Sequence, residues 1–116
     1  MSALELKVWF DGGCRPNPGL IEVAAVARGI STFADGLGFG SNTDAEWLAL
    51  LHAMDVATHL GARDVILIGD SLTVVRQASG AAKCRSGPLR QFLEAFRAKS
   101  TLFDRVRLRH TGRSHN

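Results

Sequence analysis

Cysteine is scarce in this chain of 116 residues, which contains only Cys14 and Cys84. The two residues form neither a CxxC motif nor a disulfide framework, so we expect a reduced, cytoplasmic setting and no disulfide-linked partner. No apolar run approaches the ~20 residues of a membrane span. The first residues also lack the basic start and apolar stretch of a secretion signal. These absences argue against secreted, disulfide-stapled domains and against a membrane partner.

Repeats and low-complexity segments are lacking as well. The length and the hydrophobic content of 46% fit one globular domain over residues 1–116. Charge, by contrast, is unevenly distributed: residues 1–70 carry four Lys/Arg against nine Asp/Glu, and residues 71–116 carry ten against two. This division indicates either a basic surface beside an acidic centre, suited to a polyanion, or an ordinary solvated basic face.

Hydrophobic periodicity predicts five strands and three helices in the order β-β-β-α-β-α-α-β. Three strands with short connections predict an antiparallel meander, and strands separated by helices predict parallel pairing. We therefore expect an α/β fold whose mixed five-stranded sheet combines a meander with parallel strands and is flanked by helices. The predicted strands are Leu4–Phe10, Glu22–Arg28, Thr32–Phe39, Asp64–Gly69 and Phe103–His110, and the predicted helices are Asp44–Leu60, Ser71–Ala78 and Pro88–Ser100.

Three acids occupy unusual places in this arrangement. Asp11 ends an apolar strand and opens a glycine-rich segment, which predicts a tight turn with bare backbone amides. Asp70 follows another apolar strand, and Glu46 opens the apolar stripe of the long helix. If these elements are neighbours, the three carboxylates converge and repel one another, a conflict that a divalent cation relieves. All-oxygen ligation favours Mg²⁺ or Mn²⁺.

Each acid also has a purely structural interpretation. Asp11 could brace the turn that follows it. The step from Thr43 to Glu46 fits a capping box, in which Glu46 closes the start of the helix. Either Asp70 or Ser71 could cap the next helix. Each structural role is favoured when an acid is taken singly, but convergence from three separate elements favours a metal site.

The histidines and aromatic residues predict less. His52 and His59 lie on the long helix and are expected at surface or boundary positions, and without a nearby Cys pair a zinc site is disfavoured. His110, at the end of the last strand, could move protons beside a metal site. Trp9, Trp47 and the phenylalanines are expected in the core rather than as platforms for stacking bases.

Four short motifs follow one another along the chain. They are Asp11-Gly12-Gly13-Cys14 with Asn17-Pro18-Gly19, Asn42-Thr43-Asp44-Ala45-Glu46, Ile68-Gly69-Asp70-Ser71, and His110-Thr111-Gly112 with Asn116. Together they resemble the motifs of ribonuclease H, specifically the type 1 enzymes. The resemblance extends through essentially the whole chain in element order.

The resemblance implies an endoribonuclease that hydrolyses the RNA strand of an RNA/DNA hybrid and leaves 5′-phosphate and 3′-hydroxyl ends. It implies that Asp11, Glu46 and Asp70 hold two ions of Mg²⁺ or Mn²⁺, and that His110 assists proton movement or product departure. The implied substrate-binding residues are Gly12, Gly13, Cys14, Asn17, Asn42, Thr43, Ser71 and Asn116. The amides of Gly12–Cys14, with Asn17 and Asn42, would lie along the minor groove, where 2′-hydroxyls distinguish RNA from DNA. A monomer is the expected state.

The resemblance also implies a fourth carboxylate and a closing helix just beyond Asn116, which this chain lacks. A domain without them could bind hybrids and cut them poorly, so the alternative is a catalytically weakened nucleic-acid-binding module on the same fold. A related nuclease acting on DNA junctions or transposon ends is a third interpretation, against which Asn17 and Asn42 argue. The chain also has Gly13 where the family commonly has a hydroxyl residue, and only Gly80–Gly87 where some relatives carry a long basic protrusion.

Overall fold

A computed structural model describes residues 5–112. The strands are β1 (Glu5–Cys14), β2 (Gly19–Ala27), β3 (Ile30–Ala34), β4 (Phe39–Gly40), β5 (Asp64–Gly69) and β6 (Arg105–His110), and the helices are α1 (Asn42–His59), α2 (Leu72–Ser79) and α3 (Gly87–Ser100). The predicted order of elements is confirmed, with β4 as an addition. β4 has only two residues, too few for hydrophobic periodicity to predict a strand.

The sheet is mixed, as predicted, and has the strand order β3-β2-β1-β5-β6. β1, β2 and β3 form the antiparallel meander, while β5 runs parallel to both β1 and β6. β4 pairs with the beginning of β2, so the sheet counts six strands rather than five. Within residues 5–112, no helix is long and apolar enough to cross a membrane.

Buried and exposed residues alternate along β1 and so distinguish the two faces of the sheet. Leu6, Val8 and Phe10 are buried, whereas Trp9 and Asp11 between and beyond them are exposed. All three helices contribute to the core that covers the buried face. β5, in contrast, is buried along nearly its whole length, as its continuous apolar sequence predicts.

Trp47 joins the three helices at the centre of this core. Its ring stacks on Phe92 at a centroid distance of 6.0 Å and meets Phe96 edge-on at 6.5 Å. Its indole N–H donates a hydrogen bond to Gln77 Oε1 at 2.9 Å, which satisfies both buried polar groups. The prediction that Trp47 belongs to the core is confirmed.

The same prediction is wrong for Trp9, Phe33 and Phe39. Their exposed fractions are 45%, 77% and 71%. Trp9 lies on the strand face opposite to Phe10, so its burial depends on what covers that face and not on its own hydrophobicity.

The predicted tight turn after Asp11 is also wrong. β1 continues through Gly12 and Gly13, and its pairing with β2 extends to Cys14, which faces Ile21. Glycine permits a turn without requiring one, and here the ladder with β2 keeps the chain extended. The connection to β2 comes later, at residues 15–18.

Candidate metal-binding site

The register of the central strands brings two aspartates side by side. The β1–β5 ladder ends at the pair Phe10 and Gly69. An aspartate directly follows each of these two residues in the sequence. β1 continues along β2, with Asp11 opposite Ala24, whereas β5 ends at Gly69. Asp11 and Asp70 therefore lie where the two strands part.

Helix α1 supplies the third acid, which does not serve as a helix cap. The capping box is formed by Ser41 and Asp44, not by Thr43 and Glu46, so that structural interpretation is wrong. The Asp44 amide donates to Ser41 Oγ at 3.2 Å, and the Ser41 amide donates to Asp44 Oδ2 at 2.9 Å. Glu46 is left for another role and is only 6% exposed.

The three acids converge as predicted. One carboxylate oxygen from each of Asp11, Glu46 and Asp70 lies within 4.8 Å of the other two. Asp11 is exposed, Asp70 is half-buried and Glu46 is buried. The cluster thus opens to solvent on one side and has its most buried oxygens on the other.

Glu46 has an unusual electrostatic environment. Its Oε1 accepts a hydrogen bond from the Gly12 amide at 2.6 Å, while its buried Oε2 accepts none from residues 5–112. Burial is the main cause that raises the pKa of Glu46 to about 8. The Gly12 hydrogen bond opposes the rise, and the neighbouring Asp70 and the charge of Asp11 add to it.

The acids lie in an open cleft of about 1260 Å³. The predicted site residues that line it are Asp11, Gly12, Gly13, Cys14, Asn42, Glu46, Asp70 and Ser71. Arg15, Trp9 and Thr111 also line the cleft, although the sequence analysis did not assign them to the site. The signal for Trp9 was its alternation with Phe10, which puts it on the same strand face as Asp11.

Two asparagines form a hydrogen-bonded network with Cys14. The Cys14 amide donates to Asn42 Oδ1 at 3.3 Å, and the Asn42 amide donates to Asn17 Oδ1 at 3.1 Å. The buried Cys14 thiol also lies 3.3 Å from Asn42 Oδ1. The expectation of bare amides is therefore wrong for Gly12 and Cys14, because both already donate to side chains.

The remaining candidates lie around the acids. His110 Nε2 is 3.2 Å from the backbone carbonyl oxygen of Asp70, a contact in which a protonated Nε2 donates. Ser71 caps α2 by accepting from the Val74 amide at 3.3 Å, so Ser71 and not Asp70 has the capping role. Thr43 lies half-buried in the first turn of α1. Asn116 lies outside the described residues.

The two histidines of α1 do not line the cleft. His52 is half-buried, 3.1 Å from Thr32 Oγ1, and His59 is exposed. Their predicted boundary and surface positions are confirmed.

Sequence comparison agrees with this geometry. The reverse transcriptase-like family matches residues 10–116. The chain belongs to that family. Its ribonuclease HI-like character is seen in a 33% identity to ribonuclease HI of Halobacterium salinarum, over 96% of this chain. The chain spans only 58% of the length of that curated relative.

Two solved RNase H1 structures share the fold. RNase H1 from the halophilic archaeon Halobacterium salinarum superposes with a TM-score of 0.90 at 30% identity, covering 96% of this chain and 88% of that one. LC11-RNase H1, solved in complex with an RNA/DNA hybrid, superposes with a TM-score of 0.86 at 23% identity, with the same coverage of 96% and 88%. At this identity, the similarity to LC11-RNase H1 shows a shared fold and nothing more.

Proposed function

We propose that the chain is a divalent-metal-dependent endoribonuclease that hydrolyses the RNA strand of RNA/DNA hybrids. The observation that carries the proposal is the cluster of Asp11, Glu46 and Asp70, whose carboxylate oxygens lie within 4.8 Å of one another. The similarity to ribonuclease HI of Halobacterium salinarum supports the same activity.

The residues present fit a hard divalent cation. The donors are all carboxylate oxygens, the ligands that Mg²⁺ and Mn²⁺ prefer. A cation would also give the buried Glu46 Oε2 a partner, which it lacks among residues 5–112. Burial raises the pKa of Glu46, and the charges of Asp70 and Asp11 raise it further; a bound cation would oppose both effects.

Each acid has a proposed role toward two ions of Mg²⁺ or Mn²⁺. Asp11 and Asp70 would hold one ion, and Glu46, together with Asp11, would hold the second. Bound ions would supply Lewis acidity and water activation for an in-line displacement that leaves a 5′-phosphate and a 3′-hydroxyl. His110, held against the carbonyl of Asp70, would move protons or assist product departure.

Selection of RNA would come from Asn17 and Asn42. Their Oδ1 atoms accept hydrogen bonds from the protein, so their carboxamide N–H groups are the donors left for the 2′-hydroxyls of the RNA strand. Exposed cations would contact phosphates, among them Arg15 in the cleft. We therefore expect hybrid affinity to fall steeply as the salt concentration rises.

The decisive experiment compares cleavage of an end-labelled RNA/DNA hybrid by the wild type in Mg²⁺, in Mn²⁺ and in a chelator, with all-DNA and all-RNA duplexes as controls. The proposal requires metal-dependent cutting of the RNA strand of the hybrid, with 5′-phosphate products. Hybrid binding without cutting would favour the weakened binding module instead. Cutting of all-DNA substrates but not hybrids would favour a DNA nuclease.

A further inference from the structure

We propose that Gly12 is a positioning residue for the metal site, acting through Glu46 rather than by touching the substrate. The inference rests on the proposed metal site and extends it to a residue that carries no side chain. Two independent observations carry it, one steric and one from hydrogen bonding.

The steric observation is the close approach of α1 to β1. A Cβ added to Gly12 would lie 2.1 Å from the carbonyl oxygen of Ala45, 2.5 Å from its carbonyl carbon and 3.0 Å from the Glu46 nitrogen. All three are backbone atoms, which cannot rotate away. Any side chain at position 12 therefore displaces the helix turn that carries Glu46.

The second observation is the hydrogen bond from the Gly12 amide to Glu46 Oε1 at 2.6 Å. Gly12 lies beyond the last β1–β5 pair at Phe10 and Gly69, so its amide donates to a side chain where no β5 residue faces it. Gly12 thus sets both the backbone position of Glu46 and the orientation of its carboxylate. With Oε1 fixed, Oε2, which has no hydrogen-bond partner within residues 5–112, is the oxygen left for a cation.

The test is calorimetric titration of Mg²⁺ and Mn²⁺ into Gly12→Ala without nucleic acid. Partners that orient a metal ligand typically contribute 10–100-fold in affinity, and we expect a loss of roughly that size. Gly13→Ala is the matched control, because a Cβ there meets nothing within 4 Å, and its metal affinity should equal that of the wild type.

A second control separates metal affinity from general stability. A Cβ at Gly19 would lie 2.2 Å from the Pro16 carbonyl oxygen, so Gly19→Ala meets a similar backbone clash away from Glu46. We expect it to lower the melting temperature and leave the ion affinity unchanged. If Gly12→Ala and Gly19→Ala both lose ion affinity in proportion to their loss of stability, the positioning role is overturned.

A double-mutant cycle tests whether Gly12 acts through Glu46. In a Glu46→Ala background, Gly12→Ala should weaken ion binding much less than in the wild type, since the carboxylate through which Gly12 is proposed to act is already absent. Additive losses would overturn the inference. A wild type that takes up no divalent ion refutes the metal site itself, whereas normal uptake by Gly12→Ala refutes only the role of Gly12.

The hydrogen bond can also be tested without Gly12→Ala, should that variant fail to fold. The Gly12 amide proton should exchange slowly with solvent in the wild type and faster in Glu46→Ala, measured by NMR, while exchange in the centre of β5 stays the same. Equal protection of Gly12 in both proteins would overturn the inference.

Discussion

The paired strands β1 and β5 carry two acids at each end of their ladder. The two ends differ in the charge of the third side chain that joins each pair. At the first end Glu5 lies opposite Asp64, and Arg107 forms salt bridges with both. At the other end Asp11 and Asp70 follow the last pair, and the third group is the carboxylate of Glu46.

The difference separates a structural site from a functional one. Arg107 reaches the first pair from β6, which lies beside β5, so the fold supplies its own cation there. At the second end the fold adds another acid, buries it and raises its pKa. A cation from outside the protein would balance that arrangement, which is the physical reason to propose metal chemistry at one end only.

The largest expected effect comes from removing one acid at the second end. Asp70→Asn should slow hybrid cleavage at least ~10³-fold, because a misplaced ion forfeits several kcal/mol of transition-state stabilisation. Its metal-free melting temperature should hold or rise, since less negative charge is confined. Asp64→Asn, at the first end, is the matched control and should cut like the wild type. Asp70→Asn activity within tenfold of the wild type would contradict the assignment.

A smaller loss is expected for His110→Ala. The residue contacts the Asp70 carbonyl rather than joining the acids, and removing a group that assists proton transfer should slow turnover by about 10²-fold at most. Single-turnover and steady-state cleavage rates, measured side by side, show whether chemistry or product departure is slowed. A loss as large as that of Asp70→Asn would mean that this role is misassigned.

The pH dependence of stability offers a test without substrate. The Glu46 pKa of about 8 lies above the ordinary 4.5, so the stability gained from its protonation is complete below pH 4.5 and is lost as the pH rises from there to about 8. Glu46→Gln cannot lose a proton. In a chelator at pH 8 it should exceed the wild type by at least ~1 kcal/mol, or roughly 4 °C or more in melting temperature. Parallel melting profiles for the two proteins between pH 5 and 8 would exclude this account.

The smallest effect concerns the first end. Arg107→Met should lower the melting temperature modestly, because Glu5 and Asp64 are left facing each other, and high salt should reduce the difference. Divalent-ion affinity should not change. If Arg107→Met alters ion uptake by the protein, the two ends of the ladder are not independent, and the distinction between a structural and a metal-binding end fails.

The sequence predicted the sheet and the meeting of the acids because both depend on local patterns. The apolar run bounded by Asp64 and Gly69 predicted β5 with the bounds that it has. Placing Asp11 and Asp70 at the ends of neighbouring strands, with Glu46 on the crossing helix, was enough to predict their convergence. Those inferences need periodicity and topology, and no detail of packing.

What the sequence could not predict depends on distances between elements. Ser41-x-x-Asp44 and Thr43-x-x-Glu46 overlap as capping patterns, and only the burial of Glu46 decides between them. Gly12 resembled a turn residue because glycine is common in turns. Its close approach to Ala45 arises only when α1 packs on β1, so the sequence could not show it. Such contacts belong to tertiary structure, where local propensity gives no guidance.

The exposed face of β1 provides an optical probe of the cleft. The chain has two tryptophans: Trp47 is fully buried, while Trp9 is 45% exposed and lines the cleft. Nucleic acid entering there should quench the fluorescence of Trp9 and leave that of Trp47 as an internal reference. Trp9→Phe would then abolish the optical response to hybrid, so occupancy of the cleft can be followed in real time without any label.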